Sequence, residues 1–263
     1  MAVDVIDYEI LGDDMQAVVV GLDPGESVVA EAGAMMYLEA GVEMGTSMSM
    51  KRGGGGVFGK LFEAGKRVLS GESFFITVFA NNGHQRSSCA FAAPHPGRVV
   101  PLQLEEHGGS LLCQKDAFLC AASGVEVDIA FQRRIGAGLF GGEGFILQKL
   151  SSPTGVGQAF LHAGGTILRR DLAPGESLRV DTGCLVAFEQ GVDYRIETVP
   201  GIRNKLFGGE GLFYAVLDGP GTVWLQTLPF SRLADRIMAA AVGPRDKGEG
   251  SVLGGIYDTL GGR

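Results

Sequence analysis

The sequence has no long hydrophobic run and no leader-like start. Its longest apolar run, residues 74–80, is interrupted by Thr77 and is far shorter than the ~20 residues of a membrane-spanning helix. The first residues lack the basic and apolar regions of a secretory signal peptide. We therefore expect a cytoplasmic protein without a membrane span.

Cysteine is scarce, and none of it has metal-ligand or redox spacing. The four cysteines form no C-x-x-C pair, and their neighbours are mostly apolar. Free cysteine behaves as a small buried hydrophobe, and disulfides are rare in reducing compartments. We expect core thiols in a reducing compartment at Cys89, Cys113, Cys120 and Cys184.

Positive charge is also in short supply. The chain has 22 Lys and Arg against 30 Asp and Glu, a net charge of −8, so no overall basic field attracts nucleic acid. Glycine is abundant instead, at 43 of 263 residues against a usual share of about 7%. With no G-X-Y period and only 10 prolines, this composition favours an all-β fold with many tight turns.

Turn motifs recur at fixed offsets along the chain, which is the sign of an internal repeat. The matches are L-x-P-G-E-S at 22–27 and 172–177, G-V-acid at 41–43, 124–126 and 191–193, and L-F-G-G-E-G at 139–144 and 206–211. They predict three copies of one unit, near residues 14–80, 97–150 and 165–217.

Each copy reads as short strands of Val, Ile, Leu and Phe between glycine turns. Units of this size cover their apolar faces only by packing on one another, so we expect one domain, residues 1–228, with three copies around a pseudo-threefold axis. Residues 221–228 look like the opening strand of a fourth copy. Ser231 caps an amphipathic helix predicted within 229–243, followed by a flexible tail, 244–263.

The repeated P-G-E-S and L-F-G-G-E-G motifs, with the P-F-S-R-L-A-D-R helix after them, resemble a bacterial family of unknown function. That family is similar to a mitochondrial biogenesis protein of the inner membrane. It is grouped by fold with the tryptophan RNA-binding attenuation protein. The resemblance covers about residues 8–242. It implies a triplicated, short double-stranded β-helix, and it brings no catalytic residues.

Four familiar kinds of site find little support. Residues 54–60 nearly match a P-loop motif, but Leu61 stands where Ser or Thr must bind magnesium. No G-x-S-x-G motif of a serine hydrolase is present. A cupin metal site needs clustered histidines, whereas the histidines of this chain are isolated. We expect them to be exposed in turns: His84, His95, His107 and His162. Glu72, Glu143 and Glu210 are equivalent, and three carboxylates around an axis could hold a hard cation; exposed turns are the simpler interpretation.

The first copy carries an insertion that is the more informative feature. Its G-V-acid and G-E turns begin 30 residues apart, whereas those of the other copies begin 18 residues apart. Residues 51–67 carry five positive charges and one negative. Apolar residues at helical spacing predict a basic amphipathic helix near 57–69, either packed on its own sheet or docked on an anionic membrane or a partner. The candidate contact residues are Lys51, Arg52, Phe58, Lys60, Leu61, Phe62, Lys66 and Arg67.

Taken together, these patterns favour a non-enzymatic scaffold or interaction protein that forms a homo-oligomer. They predict no catalytic residue, metal or cofactor. A small-ligand- or metal-binding β-protein is the alternative. Single-stranded RNA binding, through basic residues beside phenylalanines at the repeated turns, is a remote one, and we do not expect a nucleic-acid partner.

Overall fold

A computed structural model of the chain describes residues 5–31, 33–46, 76–133, 145–198 and 213–242. Strands make up 59% of these residues, so the predicted all-β class is confirmed at that level. One α-helix, α1 (Phe230–Val242), lies near the C-terminal end, as predicted. Short 3-10 helices at Leu104–His107, Lys115–Ala117 and Thr182–Cys184 complete the described helices.

A six-strand unit recurs three times after an additional first strand, β1 (Asp7–Leu11). The first copy comprises β2 (Ala17–Leu22), β3 (Ser27–Glu31), β4 (Met35–Leu38), β5 (Val42–Thr46), β6 (Ile76–Asn81) and β7 (Ser87–Ala92). The second comprises β8 (Arg98–Gln103), β9 (Ser110–Gln114), β10 (Phe118–Ala122), β11 (Glu126–Arg133), β12 (Phe145–Ser151) and β13 (Gln158–Ala163). The third comprises β14 (Ile167–Leu172), β15 (Ser177–Asp181), β16 (Leu185–Glu189), β17 (Asp193–Thr198), β18 (Phe213–Asp218) and β19 (Gly221–Gln226).

The strands form four antiparallel sheets. Sheet I has the order β1-β2-β7-β4, sheet II β5-β6-β3-β10-β13-β8, sheet III β11-β12-β9-β16-β19-β14, and sheet IV β15-β18-β17. Sheets II and III each combine three strands of one copy with three strands of the next. Copies one and two therefore meet at β3–β10, and copies two and three meet at β9–β16.

The pairing pattern supports the repeat and corrects one detail of it. In every copy the first strand pairs with the sixth, the second with the fifth, and the third with the sixth. Each copy therefore extends one strand beyond the interval predicted from the motifs. The interpretation of 221–228 as the start of a fourth copy is wrong, because β19 pairs with β14 and β16 as the sixth strand of copy three.

The predicted glycine turns are equivalent, because the same backbone hydrogen bond closes them. The amides of Val42, Val125 and Val192 donate to carbonyls three residues earlier, at 3.0–3.2 Å. Gly41 and Gly124 adopt positive φ there, at 99° and 94°, a conformation that glycine reaches without steric cost. These turns join the third strand of each copy to its fourth.

Three hydrophobic cores lie between successive sheets. Core 1, between sheets I and II, includes Phe79 and Phe91 in an edge-to-face contact. Core 2, between sheets II and III, includes Phe118, and core 3, between sheets III and IV, includes Phe188. Each fully buried phenylalanine stabilises the fold by about 1.5–3 kcal/mol. Sheets II and III are thus buried on both faces, while sheets I and IV are the outer ones.

The cysteines largely follow expectation. Cys89, Cys113 and Cys120 are free and buried, and Cys184 is half-buried. Burial raises the pKa of the Cys89 thiol to about 12, so that thiol stays protonated and unreactive near neutral pH.

The chain divides into two units, with residues up to Ser231 in one and residues from Arg232 onward in the other. All nineteen strands of the described residues belong to the first unit. The predicted tail, 244–263, lies outside the described residues, as does the predicted helix near 57–69.

Candidate functional site: two sheet edges and a histidine pair

The contact residues predicted from the sequence fall in the connection between β5 and β6, outside the described residues. They are Lys51, Arg52, Phe58, Lys60, Leu61, Phe62, Lys66 and Arg67. The equivalent connections of copies two and three, 134–144 and 199–212, lie outside them too, and so do Glu72, Glu143 and Glu210. These predictions stay predictions.

The junctions between copies have one repeated register. At the first, Cys120 of β10 lies opposite Ala30 of β3. At the second, Ala187 of β16 lies opposite Cys113 of β9. Cys120 and Ala187 are equivalent, because each follows the same bulge in its pairing with the sixth strand. Tyr37 follows that bulge in β4, so all three third strands share one geometry.

The bulge residue reaches across each junction. Leu119 of β10 lies in core 1, the core of the preceding copy, and is 1% exposed. Val186 of β16 lies in core 2, again that of the preceding copy, and is 0% exposed. A β-bulge leaves one residue unpaired and re-aims its side chain. The bulge therefore gives the third strands of copies two and three an apolar anchor in the copy before them.

The third strand of copy one, β4, has no preceding copy in the chain. Within the described strands β4 pairs only with β7. Its residues Met35, Met36 and Tyr37 are 37%, 56% and 42% exposed, whereas their equivalents in β10 and β16 are buried. An apolar edge strand with unpaired backbone groups is a template for pairing with another strand.

The second strand of copy three, β15, is the second edge that lacks a neighbouring copy, whereas its equivalents β3 and β9 each pair with the copy that follows. Within the described strands β15 pairs only with β18. Leu178 is half-buried there, although its equivalents Val28 and Leu111 are fully buried. Arg179 takes the position where Val29 packs into the next core, and its guanidinium carbon lies 5.8 Å from the centre of the Tyr214 ring.

Sequence reasoning missed both edges. Met35–Leu38 and Ser177–Asp181 read as ordinary strands, and their exposure depends on which strand lies beside them. The only signal was positional. The offset of 150 residues between copies one and three aligns Met36 with Val186, but it says nothing about which copies touch.

The histidines correct a second expectation. We expected exposed turn residues, but His162 is 3% exposed and packs edge to face on His95, with ring centres 4.5 Å apart. His107 is also largely buried, and its Nδ1 lies 2.8 Å from Oε1 of Glu189 at the second junction. Only His84 matches the expectation of an exposed turn residue. His162 is buried because β13 is an inner strand of a sheet covered on both faces.

Burial shapes the chemistry of the histidine pair. It lowers the pKa of His162 to about 4, with a further contribution from His95, and it lowers the pKa of His95 as well. Both rings are therefore neutral at pH 7, and Nδ1 of His162 is buried without a hydrogen-bond partner. Burial also raises the pKa of Glu31, with the charge of Asp116 adding to the effect.

Two further observations concern other kinds of site. Among the described residues, no three His, Cys, Asp or Glu side chains converge to hold a metal ion. No helix in the same part of the chain has the length and apolar character needed to cross a bilayer.

Comparison with known proteins adds a family and a fold. The model of a family described as mitochondrial biogenesis AIM24 matches residues 8–228. An uncharacterized protein of Streptococcus pyogenes serotype M6 is 30% identical over 216 residues, 82% of each chain. A crystal structure of another Streptococcus pyogenes protein is similar with a TM-score of 0.69 at 24% identity. That likeness covers 90% of this chain and 100% of that one, and at this identity it shows the fold alone.

Proposed function

The chain belongs to the mitochondrial biogenesis AIM24 family, and from that starting point we propose that it is a non-enzymatic scaffold that assembles with copies of itself. One observation carries the proposal. Three apolar residues of β4 are exposed at positions that are buried wherever a neighbouring copy is present. Such an edge gains stability when another strand covers it.

The test is the mass of the purified full-length protein as its concentration is raised. Light scattering and sedimentation velocity should give a mass that increases above that of the monomer. A monomer mass at every concentration would contradict self-association.

The alternative, a ligand- or metal-binding β-protein, needs polar side chains that converge on one cavity. The buried polar side chain with the most hydrogen bonds described, Asn81, holds the local backbone in place. Nδ2 of Asn81 donates to the carbonyls of Leu22 and Gln85, each at 2.8 Å, and Oδ1 accepts from the amide of Gly83. These hydrogen bonds fix the turn between β6 and β7, so they support a structural role for Asn81 and not a role in ligand binding.

The proposal keeps two further expectations. The free, buried thiols fit a protein of a reducing compartment such as the cytoplasm. The basic segment near 51–69 is a second contact surface, for an anionic membrane or a protein partner, on the strength of its charge in an acidic chain. A pseudo-threefold axis within one chain would require a third junction, between β15 and β4 of that chain, in addition to β3–β10 and β9–β16.

A further inference from the structure

We propose that the third junction forms between two chains, with β15 of one copy pairing with β4 of a second in the register of the internal junctions. This inference deepens the proposed self-association by naming its interface. The occupant of each open edge is therefore the opposite edge of another copy of the same chain.

The repeat itself supplies the register. Tyr37 is the equivalent of Cys120 and Ala187, which lie opposite Ala30 and Cys113. The equivalent of Ala30 and Cys113 in copy three is Val180, since each pairs with the corresponding residue of its fifth strand. Tyr37 should thus lie opposite Val180, and Leu38 opposite Arg179.

The bulge supplies an anchor. Leu119 and Val186 enter the core of the copy before them. By the same geometry Met36 enters core 3 of the neighbouring chain, next to Val180, which belongs to that core. Met36 is 56% exposed in the single chain, and pairing would bury it. Methionine adapts well to an irregular apolar site of this kind.

The two edges are unlike, and this decides the symmetry. A contact between two different surfaces is heterologous, and it builds a closed ring or an open filament instead of a twofold dimer. Each chain can donate β4 to one neighbour and β15 to another, so assembly beyond the dimer is expected.

Arg179 is the point where this junction differs from the internal ones, which carry Val29 and Leu112 at the equivalent position. The guanidinium must move its charge to the rim of the interface, as long cationic side chains do. We therefore expect the junction between chains to be weaker than the internal junctions and to separate on dilution.

The experiment is disulfide cross-linking between two differently tagged full-length chains, one carrying Leu38→Cys and the other Arg179→Cys. Directly opposed residues of antiparallel strands have Cα atoms about 4.5–5.5 Å apart, within the range a disulfide spans. Mild oxidation should link the two tags. Neither variant alone should give that product, and neither should Leu38→Cys mixed with Asp193→Cys, because Asp193 lies on the far strand of sheet IV.

A second variant avoids reliance on cross-linking. Met36→Lys should weaken self-association roughly tenfold or more, because a charge would have to enter an apolar core. Met44→Lys should leave it unchanged. Met44 is equally exposed, at 55%, but lies on β5, which takes no part in the proposed junction.

The outcomes separate this inference from the proposed function. Self-association that survives Met36→Lys, with no cross-link between the two tags, overturns the interface and leaves the scaffold proposal standing. A single chain that carries both Leu38→Cys and Arg179→Cys gives a further outcome. If its disulfide forms only within the chain, the inference is also overturned, because the third junction would then close inside one molecule. A monomer at every concentration contradicts both proposals.

Discussion

Met36 and Val186 occupy the same position in two copies of one unit, yet Met36 is 56% exposed and Val186 is fully buried. The difference comes from what lies beside each strand. β16 pairs with β9, whereas within the described strands β4 has no partner on that side. Equivalent residues therefore contribute to folding in one copy and are available for association in another.

This contrast predicts different effects on stability. Leu119→Ala should lower the free energy of unfolding by about 2–5 kcal/mol, the cost of a cavity in a packed core. Met36→Ala should change it by no more than about 0.5 kcal/mol. Urea denaturation of dilute, monomeric protein measures both values. Equal losses for the two variants would mean that Met36 is already packed within its own chain.

Arg179 offers a gain-of-function prediction. Arg179→Val restores the residue type found at the first junction, where Val29 packs into the next core. The dissociation constant of the self-assembly should therefore fall, by about tenfold for each 1.4 kcal/mol gained. Sedimentation equilibrium measures this constant.

Arg170→Val is the matched control for that variant. Arg170 is another exposed arginine, but it lies on β14, outside the proposed junction. If both variants strengthen assembly equally, the effect reflects added surface hydrophobicity, and the pairing of β15 with β4 loses its support.

The histidine pair predicts a loss of stability in acid. The pKa of His162 is lowered from 6.5 to about 4 in the folded chain, so between these values the unfolded chain binds more protons. Stability is then complete above about pH 6.5 and falls as the pH drops, by at most about 1.4 kcal/mol per pH unit from this group. His95 acts in the same direction, since its pKa is also lowered.

The raised pKa of Glu31 works against this trend, because its protonation favours the folded chain. The measurement is therefore a difference between two proteins. The free energy of unfolding of the native protein and of His162→Leu, followed from pH 7 to pH 4, should diverge, with the variant less sensitive to acid. Parallel curves would show that His162 does not titrate differently on folding.

The repeat and the strand-rich class were predictable because turn chemistry is local. A G-V-acid turn needs the same glycine in every copy, and its hydrogen bond recurs at Val42, Val125 and Val192. The helix at Phe230–Val242 was predictable for a similar reason, since its apolar period lies within one short segment. It begins one residue before Ser231, so the expectation that Ser231 caps it is wrong.

The open edges and the buried histidines were not predictable, because they depend on strands distant in sequence. His162 is buried because sheet II is covered on both faces, and β13 pairs with both β8 and β10. Nothing in the residues next to His162 indicates that cover. The sixth strand of each copy was missed for a different reason, because it carries none of the recurring turn motifs.

The last prediction concerns the segment that only copy one carries. Deleting residues 51–66 and joining the flanks with two glycines should leave the fold intact, because β11–β12 and β17–β18 form the same hairpins across shorter connections. It should abolish binding to anionic vesicles, to which a net charge of four contributes up to about 1 kcal/mol per cation near the surface.

Co-sedimentation with anionic liposomes at low and at high salt decides whether this segment acts as a membrane contact. Binding at low salt that is lost at high salt, and lost on deletion, supports an electrostatic attachment. The intact protein failing to bind even at low salt would rule out the membrane surface and leave a protein partner. If the segment only covers its own sheet, deletion should instead lower the free energy of unfolding, and vesicle binding should be absent from the start. Because these two results are opposite in sign for the same pair of proteins, the deletion distinguishes a contact surface from a structural cover.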